Sequence, residues 1–116
     1  MTKNAIAGID PTASYLTLFN IYDVAPENQR DLARLLSEIT ESTIRHEPGF
    51  VSVSIHSSLD GKKVVNYAQW ASKNDFETFM QKPETQASLK QFAAIAQSVS
   101  PGLYHVDQVH CAKNAA

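Results

Sequence analysis

The sequence has a single cysteine and no recognisable motif for a metal or nucleotide site. Cys111 alone cannot form an intramolecular disulfide or a thiolate metal site. The four histidines, His46, His56, His105 and His110, include no pair at a recognised metal spacing. No G-x-G-x-x-G or P-loop motif is present, so nucleotide, flavin and nicotinamide sites have no signature. The sequence therefore predicts neither a metal nor a bound cofactor.

Basic clusters and long apolar runs are also missing. The chain has ten basic and twelve acidic side chains and no cluster of lysine or arginine. It therefore lacks the basic surface that nucleic-acid-binding proteins usually have. No apolar run approaches the roughly 18 to 20 residues that span a bilayer, and residues 1–12 lack the features of a signal peptide. We expect no nucleic-acid or membrane partner and a cytoplasmic location, which the single cysteine also favours.

The length and composition fit one globular domain. A chain of 116 residues can bury a single core and is too short for two. Gly8 and Pro11 interrupt residues 1–13, whose other side chains are mostly small or polar, and this pattern predicts a flexible N-terminal arm. We expect the folded domain to occupy residues 14–113.

Hydrophobic periodicity predicts the order β-α-β-β-α-β, with the second helix in two pieces. The predicted strands are Tyr15 to Val24, Phe50 to Ser58, Lys63 to Ala71 and Leu103 to Cys111. The predicted first helix spans about residues 27–46, and the later helices begin near Ser72 and Pro83, the last one ending before Pro101-Gly102. This order is typical of an α+β ferredoxin-like sandwich, a four-stranded antiparallel sheet with helices on one face.

Both faces of the predicted strands carry large side chains. On the first strand, Phe19 and Ile21 lie opposite Leu18 and Tyr22. Helices can cover only one of these faces, and the other needs a partner. A homodimer formed by packing sheet on sheet, a dimeric α+β barrel, is the simplest symmetric solution.

Alternation along the third strand places Asn66 and Trp70 on one face, with the small Ala68 between them. An amide and an indole are both hydrogen-bond donors and could hold a planar ligand and an oxygen species. The structural alternative is that Trp70 fills the core and Asn66 satisfies a backbone group, and spacing alone favours it. Asn20, an amide at an inward strand position, is open to the same two interpretations.

A resemblance to a known family rests on one stretch of the chain. The residues that carry it are Pro48-Gly49-Phe50 through His56, Asp60-Gly61, and the string V-V-N-Y-A-Q-W from Val64 to Trp70. This stretch resembles the antibiotic biosynthesis monooxygenase family. Within that family it is most similar to the small cofactor-independent oxygenases of aromatic polyketide pathways, which make quinones of the actinorhodin and tetracenomycin type.

The resemblance implies a pocket between sheet and helices in which O₂ oxidises a hydroquinone, anthrone or phenolic aromatic to a quinone. No cofactor takes part, because the substrate supplies the electrons. Asn66 and Trp70 match the family's catalytic Asn and Trp. The residues expected to bind substrate are Asn20, Phe76, Phe79 and Lys90.

Two positions depart from the pattern of the polyketide enzymes, and other readings of the family remain open. Phe76 stands where those enzymes can carry Tyr, and Lys90 lies near a position where they can carry Arg. A quinol-cycling or detoxifying member would share the fold. A heme-degrading member should have a His after Trp70, and residues 71–104 contain none. A dimeric ligand-binding or stress protein without turnover is the non-enzymatic alternative.

Overall fold

Residues 5–113 are described by a computed structural model, in which four strands and three α-helices form a two-layer α+β sandwich. The strands are β1 Leu16–Asp23, β2 Phe50–Ser57, β3 Lys63–Trp70 and β4 Ser98–Tyr104. The α-helices are α1 Gln29–Ser42, α2 Lys73–Met80 and α3 Pro83–Ile95. The sheet is antiparallel, with the order β2-β3-β1-β4. The predicted ferredoxin-like sandwich is confirmed. Within residues 5–113 no helix combines the length and the hydropathy needed to cross a bilayer.

The first helix is shorter than predicted and is interrupted near its end. A 3₁₀ turn over Pro26–Asn28 precedes α1, and a second one follows over Ile44–His46. Thr43 ends α1 because its φ of −132° and ψ of −60° lie outside the helical region. Ile44 still packs against the core, which explains why its spacing in the sequence looked helical.

The second helical region is split as predicted, and local chemistry accounts for both starts. The Ser72 hydroxyl oxygen accepts a hydrogen bond from the Asp75 N–H at 3.0 Å, and it donates one to the Asp75 carboxylate at 2.9 Å. This capping pair begins α2. Pro83 then begins α3, since the first turn of a helix needs no N–H donor there.

The last strand lies earlier in the chain than predicted. It spans Ser98–Tyr104 rather than Leu103 to Cys111, and α3 already ends at Ile95. Pro101-Gly102 is therefore inside a strand instead of ending a helix. Proline is tolerated because β4 is an edge strand that pairs only with β1. No strand lies on the other side of β4 that would need a hydrogen bond from the N–H that proline lacks.

The helix-facing side of the sheet forms the core. Trp70 and Ala68 are each 2% exposed and pack with Leu18. A second cluster adjoins them, made of Tyr22, Val24, Leu32, Leu36, Val64 and Phe92. The alternation predicted for β3 is confirmed, because Val64, Ala68 and Trp70 are all buried on this side.

The opposite side of the sheet, the open face, carries aromatic and aliphatic side chains without a helical cover. The Phe19 ring stacks on Tyr67 with centroids 5.0 Å apart and meets the edge of Tyr104 at 5.5 Å. Part of the N-terminal arm lies against this face, since the Gly8 carbonyl accepts a hydrogen bond from Gln69 Nε2 at 2.9 Å. The flexibility of the arm stays a prediction.

Candidate active site

A cavity lies between the helix-facing side of the sheet and the helices α2 and α3. Its outer part has a volume of about 410 Å³ and is bordered by the edge strand β4, including Val99, Pro101 and Leu103. Its inner part, of about 50 Å³, reaches β3 and α1. The two parts adjoin because six residues line both, namely Leu18, Asn20, Tyr22, Phe76, Met80 and Leu89.

Asn66 and Trp70 both line the inner part, as the alternation of β3 predicts. The Trp70 ring stacks on Phe79 with centroids 4.7 Å apart. Two further rings meet it edge-on, Phe50 at 5.8 Å and Phe76 at 6.1 Å. Three aromatic neighbours therefore fix the orientation of the indole at the inner end of the cavity.

The Asn66 side chain has a buried acceptor that the protein itself does not use. Its Oδ1 atom is out of contact with solvent and has no hydrogen-bond partner within residues 5–113. Buried polar atoms are nearly always paired, and leaving one unpaired costs about 1 to 3 kcal/mol. The structural interpretation, in which the amide oxygen satisfies a neighbouring backbone group, does not account for this atom. Because Asn66 lines the inner part of the cavity, this unused acceptor lies close to a space that the hydroxyl of a bound ligand could enter.

A second amide lies beside the first. Asn20 on β1 is the direct cross-strand partner of Asn66 on β3, so the two side chains leave the same face with Cβ atoms about 4.5 to 5.5 Å apart. Asn20 lines both parts of the cavity. The sequence places each amide on an inward face, but it does not reveal that they are opposite, since that depends on the strand register.

The structure brings five of the six predicted site residues to the cavity. Phe76 lines both parts and Phe79 lines the inner part, together with Asn20, Asn66 and Trp70. Lys90 is the exception, and its part in substrate binding stays a prediction. Its neighbour Leu89 faces the cavity, and the next residue of a helix lies about 100° further round, which leaves the Lys90 side chain exposed to solvent.

Tyr22 is a cavity residue that the sequence interpretation missed. It is 3% exposed and lines both parts of the cavity, two residues beyond Asn20 on the same face of β1. Burial raises the pKa of its hydroxyl to about 12, so the group stays a neutral donor near pH 7. The sequence already indicates that Tyr22 shares a strand face with Asn20. It does not show where the helices leave space above that face.

The cavity contains polar groups but no formal charge. Among the described residues, every side chain that lines either part is apolar, an amide, a hydroxyl or an indole. Residues 5–113 also contain no group of three or more His, Cys, Asp or Glu side chains arranged to hold a metal ion. Such a lining is suited to an aromatic ligand without a permanent charge, because no oppositely charged side chain is present to pair with one. The amides, the hydroxyls and the indole are the donors available to an oxyanion that forms during a reaction.

A sequence model of the family described as "Antibiotic biosynthesis monooxygenase" matches residues 16–91, a span that contains all six predicted site residues. The chain belongs to this family. The predicted membership and the predicted monooxygenase class are thereby confirmed. The antibiotic biosynthesis monooxygenase model ends before β4, so the edge strand that borders the mouth of the cavity lies outside the matched span.

A named relative and two solved structures are similar to this chain. The chain is 49% identical over 81 residues to tetracenomycin-F1 monooxygenase of Streptomyces glaucescens, covering 70% of this chain and 72% of that protein. It is similar to the monooxygenase from the gene ActVA-Orf6 of Streptomyces coelicolor, solved with nanaomycin D, with 25% identity and a TM-score of 0.81 over 90% of this chain and 96% of that one. SnoaB, a cofactor-independent oxygenase from Streptomyces nogalater, shares the fold at 20% identity, with a TM-score of 0.72 over 83% and 96% of the two chains.

Proposed function

We propose that this monooxygenase oxidises an anthrone, hydroquinone or other phenolic aromatic to a quinone with O₂ and without a bound cofactor. The observation that carries the proposal is the uncharged cavity, whose inner part is lined both by Asn66, with its unpaired Oδ1, and by the fixed Trp70 ring. The relatives support it, since one is named for tetracenomycin F1 and another is described as a cofactor-independent oxygenase.

The substrate itself supplies the reducing power in this reaction. A deprotonated anthrone or phenol passes one electron to O₂, and the two radicals combine to form a carbon–oxygen bond and a peroxide. The attacked carbon of an anthrone or phenol carries a hydrogen and loses it as a proton while the O–O bond breaks, which leaves one oxygen atom as the quinone carbonyl and releases the other as water. A hydroquinone follows the same course at a ring carbon that carries a hydrogen. No external reductant is needed, because the substrate carbon provides the electrons.

The two predicted catalytic residues act on different parts of this reaction. Asn66 Oδ1 accepts a hydrogen bond from a substrate hydroxyl, and its NH₂ group donates to the oxyanion or the peroxide. A well-placed donor of this kind contributes on the order of 2.7 to 4 kcal/mol to the transition state. Trp70 orients the aromatic ring and donates its indole N–H to the oxygen species.

The remaining lining residues position the substrate. Phe76 and Phe79 present aromatic rings to a planar ligand, and Asn20 adds a second amide beside Asn66. The described lining contains no carboxylate or imidazole, so the substrate proton leaves to water at the wide mouth beside β4. Heme degradation fits this cavity poorly, because no cationic side chain of the described lining is available to pair with propionates.

Oxygen uptake by metal-stripped protein tests the reaction and the absence of a cofactor together. A panel of anthrones, naphthalene hydroquinones and catechols is supplied in the presence of a chelator. We expect uptake with fused-ring substrates at a rate that chelation does not change. A preference for anthrones favours a biosynthetic role, and a preference for simple quinols favours quinol cycling. Uptake that appears only after flavin, heme or iron is added contradicts the proposal.

We also propose that the chain forms a homodimer through the open face. Phe19, Tyr67 and Tyr104 form a connected aromatic patch there, and Ile21 and Tyr104 remain 36% and 54% exposed. Sedimentation velocity at micromolar concentration should give about twice the chain mass of 12.8 kDa. Ile21→Lys should shift the population towards monomer, whereas the matched control Lys62→Ala, at an exposed turn, should leave it unchanged. A wild-type monomer contradicts this proposal.

A further inference from the structure

Tyr22 has a hydroxyl group that the fold leaves without an evident structural role. Its cross-strand partners are Val64 on β3 and Val99 on β4, and its ring meets the edge of Phe92 with centroids 6.4 Å apart. None of these side chains can accept a hydrogen bond. Burial is the one cause of the raised pKa of the Tyr22 hydroxyl, and no hydrogen bond from a described residue contributes to it.

A tyrosine ring can be buried while its hydroxyl stays accessible, and the Tyr22 oxygen is not among the described buried side-chain atoms that lack a partner. Tyr22 is 3% exposed, yet it lines both the inner and the outer part of the cavity. The same cavity contains the unpaired acceptor of Asn66. An unused donor and an unused acceptor on one cavity wall are complementary to a ligand with two oxygen functions.

We propose that Tyr22 is a further catalytic residue, whose hydroxyl donates a hydrogen bond to a second oxygen of the aromatic that Asn66 binds. This inference rests on the proposed function. Asn20 is the direct partner of Asn66, and Tyr22 follows two residues later, about 7 Å further along β1. That separation favours a fused-ring aromatic with oxygens on different ring positions over a catechol, whose two oxygens are adjacent.

Tyr22→Phe removes the hydroxyl and keeps the ring that packs against Phe92. With a fused-ring substrate we expect kcat to fall roughly ten- to a thousandfold, the range for losing one donor to a developing oxyanion. The matched control is Tyr15→Phe, which removes a phenol that lines neither part of the cavity and should leave kcat unchanged. Equal turnover by Tyr22→Phe and wild type overturns the inference.

A dye titration provides a readout that a structural role would not change. 1,5-Dihydroxyanthraquinone is a coloured fused-ring probe with its hydroxyls on different rings, and a bound hydroxyl can be titrated by its absorbance. A donor beside the dye anion stabilises it, so the apparent pKa of the bound dye should be lower in wild type than in Tyr22→Phe. The same pKa in both proteins contradicts the inference. Wild-type protein that consumes no O₂ with any substrate refutes the proposed function instead, and the dye titration still tests Tyr22.

Discussion

Asn66→Ala is expected to lower kcat by roughly ten- to a thousandfold while the thermal stability changes little. The stability forecast follows from the unpaired Oδ1, since removing an acceptor that has no partner leaves no buried donor unsatisfied. The rate forecast follows from the position of Asn66 in the inner part of the cavity, opposite Asn20 and on the same strand face as Trp70. KM should change less than kcat.

The measurement pairs oxygen-uptake kinetics with thermal unfolding followed by circular dichroism. Asn74→Ala is the matched control, since Asn74 lies exposed on α2 and should keep both the wild-type rate and the wild-type melting temperature. A purely structural amide gives the reverse result. In that case Asn66→Ala turns over like wild type and loses about 1 to 3 kcal/mol of stability through an unpaired neighbour.

Substitutions at Trp70 should separate its chemistry from its packing. Trp70→Ala should destabilise the protein by about 3 to 5 kcal/mol, because the indole is 2% exposed and contacts three aromatic rings. Trp70→Phe keeps most of the apolar volume and removes the N–H, so we expect a smaller loss of stability and at least a tenfold lower kcat.

Phe50→Leu is the matched control for Trp70→Phe. Phe50 meets the edge of Trp70 but is not among the described residues that line the cavity. This substitution should disturb the same aromatic cluster, lower the melting temperature and leave kcat per folded molecule close to wild type. If Trp70→Phe likewise loses stability without losing rate, Trp70 is a core residue and the oxygen chemistry has no indole donor.

The sequence predicts the fold and the part of the site that lies on β3, because both depend on the periodicity of hydrophobic residues. A period of two on β3 is sufficient to place Asn66 and Trp70 on a common face. The pairing of Asn20 with Asn66 depends on the β1–β3 register, which no local pattern encodes. The wrong prediction of the bounds of β4 has a similar cause. The sequence does not show that Pro101 lies on an edge strand, where the missing N–H of proline is tolerated.

Two further residues show the limit of reasoning from local patterns. Lys90 follows the cavity residue Leu89, and only the rotation of α3 about its axis decides that the lysine is exposed. Tyr22 lies on the predicted inward face of β1, but its role as a cavity residue depends on where α2 and α3 leave space above the sheet. Both outcomes are set by tertiary packing rather than by hydrophobic pattern.

The measurement that tests the central claim most directly is turnover of an anthrone under ¹⁸O₂ by metal-stripped protein, with the product analysed by mass spectrometry. The account predicts one labelled oxygen atom in each new quinone, the second labelled atom in water, and no dependence on added flavin or metal. Unlabelled quinone with accumulating hydrogen peroxide, or labelled product only after a cofactor is supplied, would contradict it.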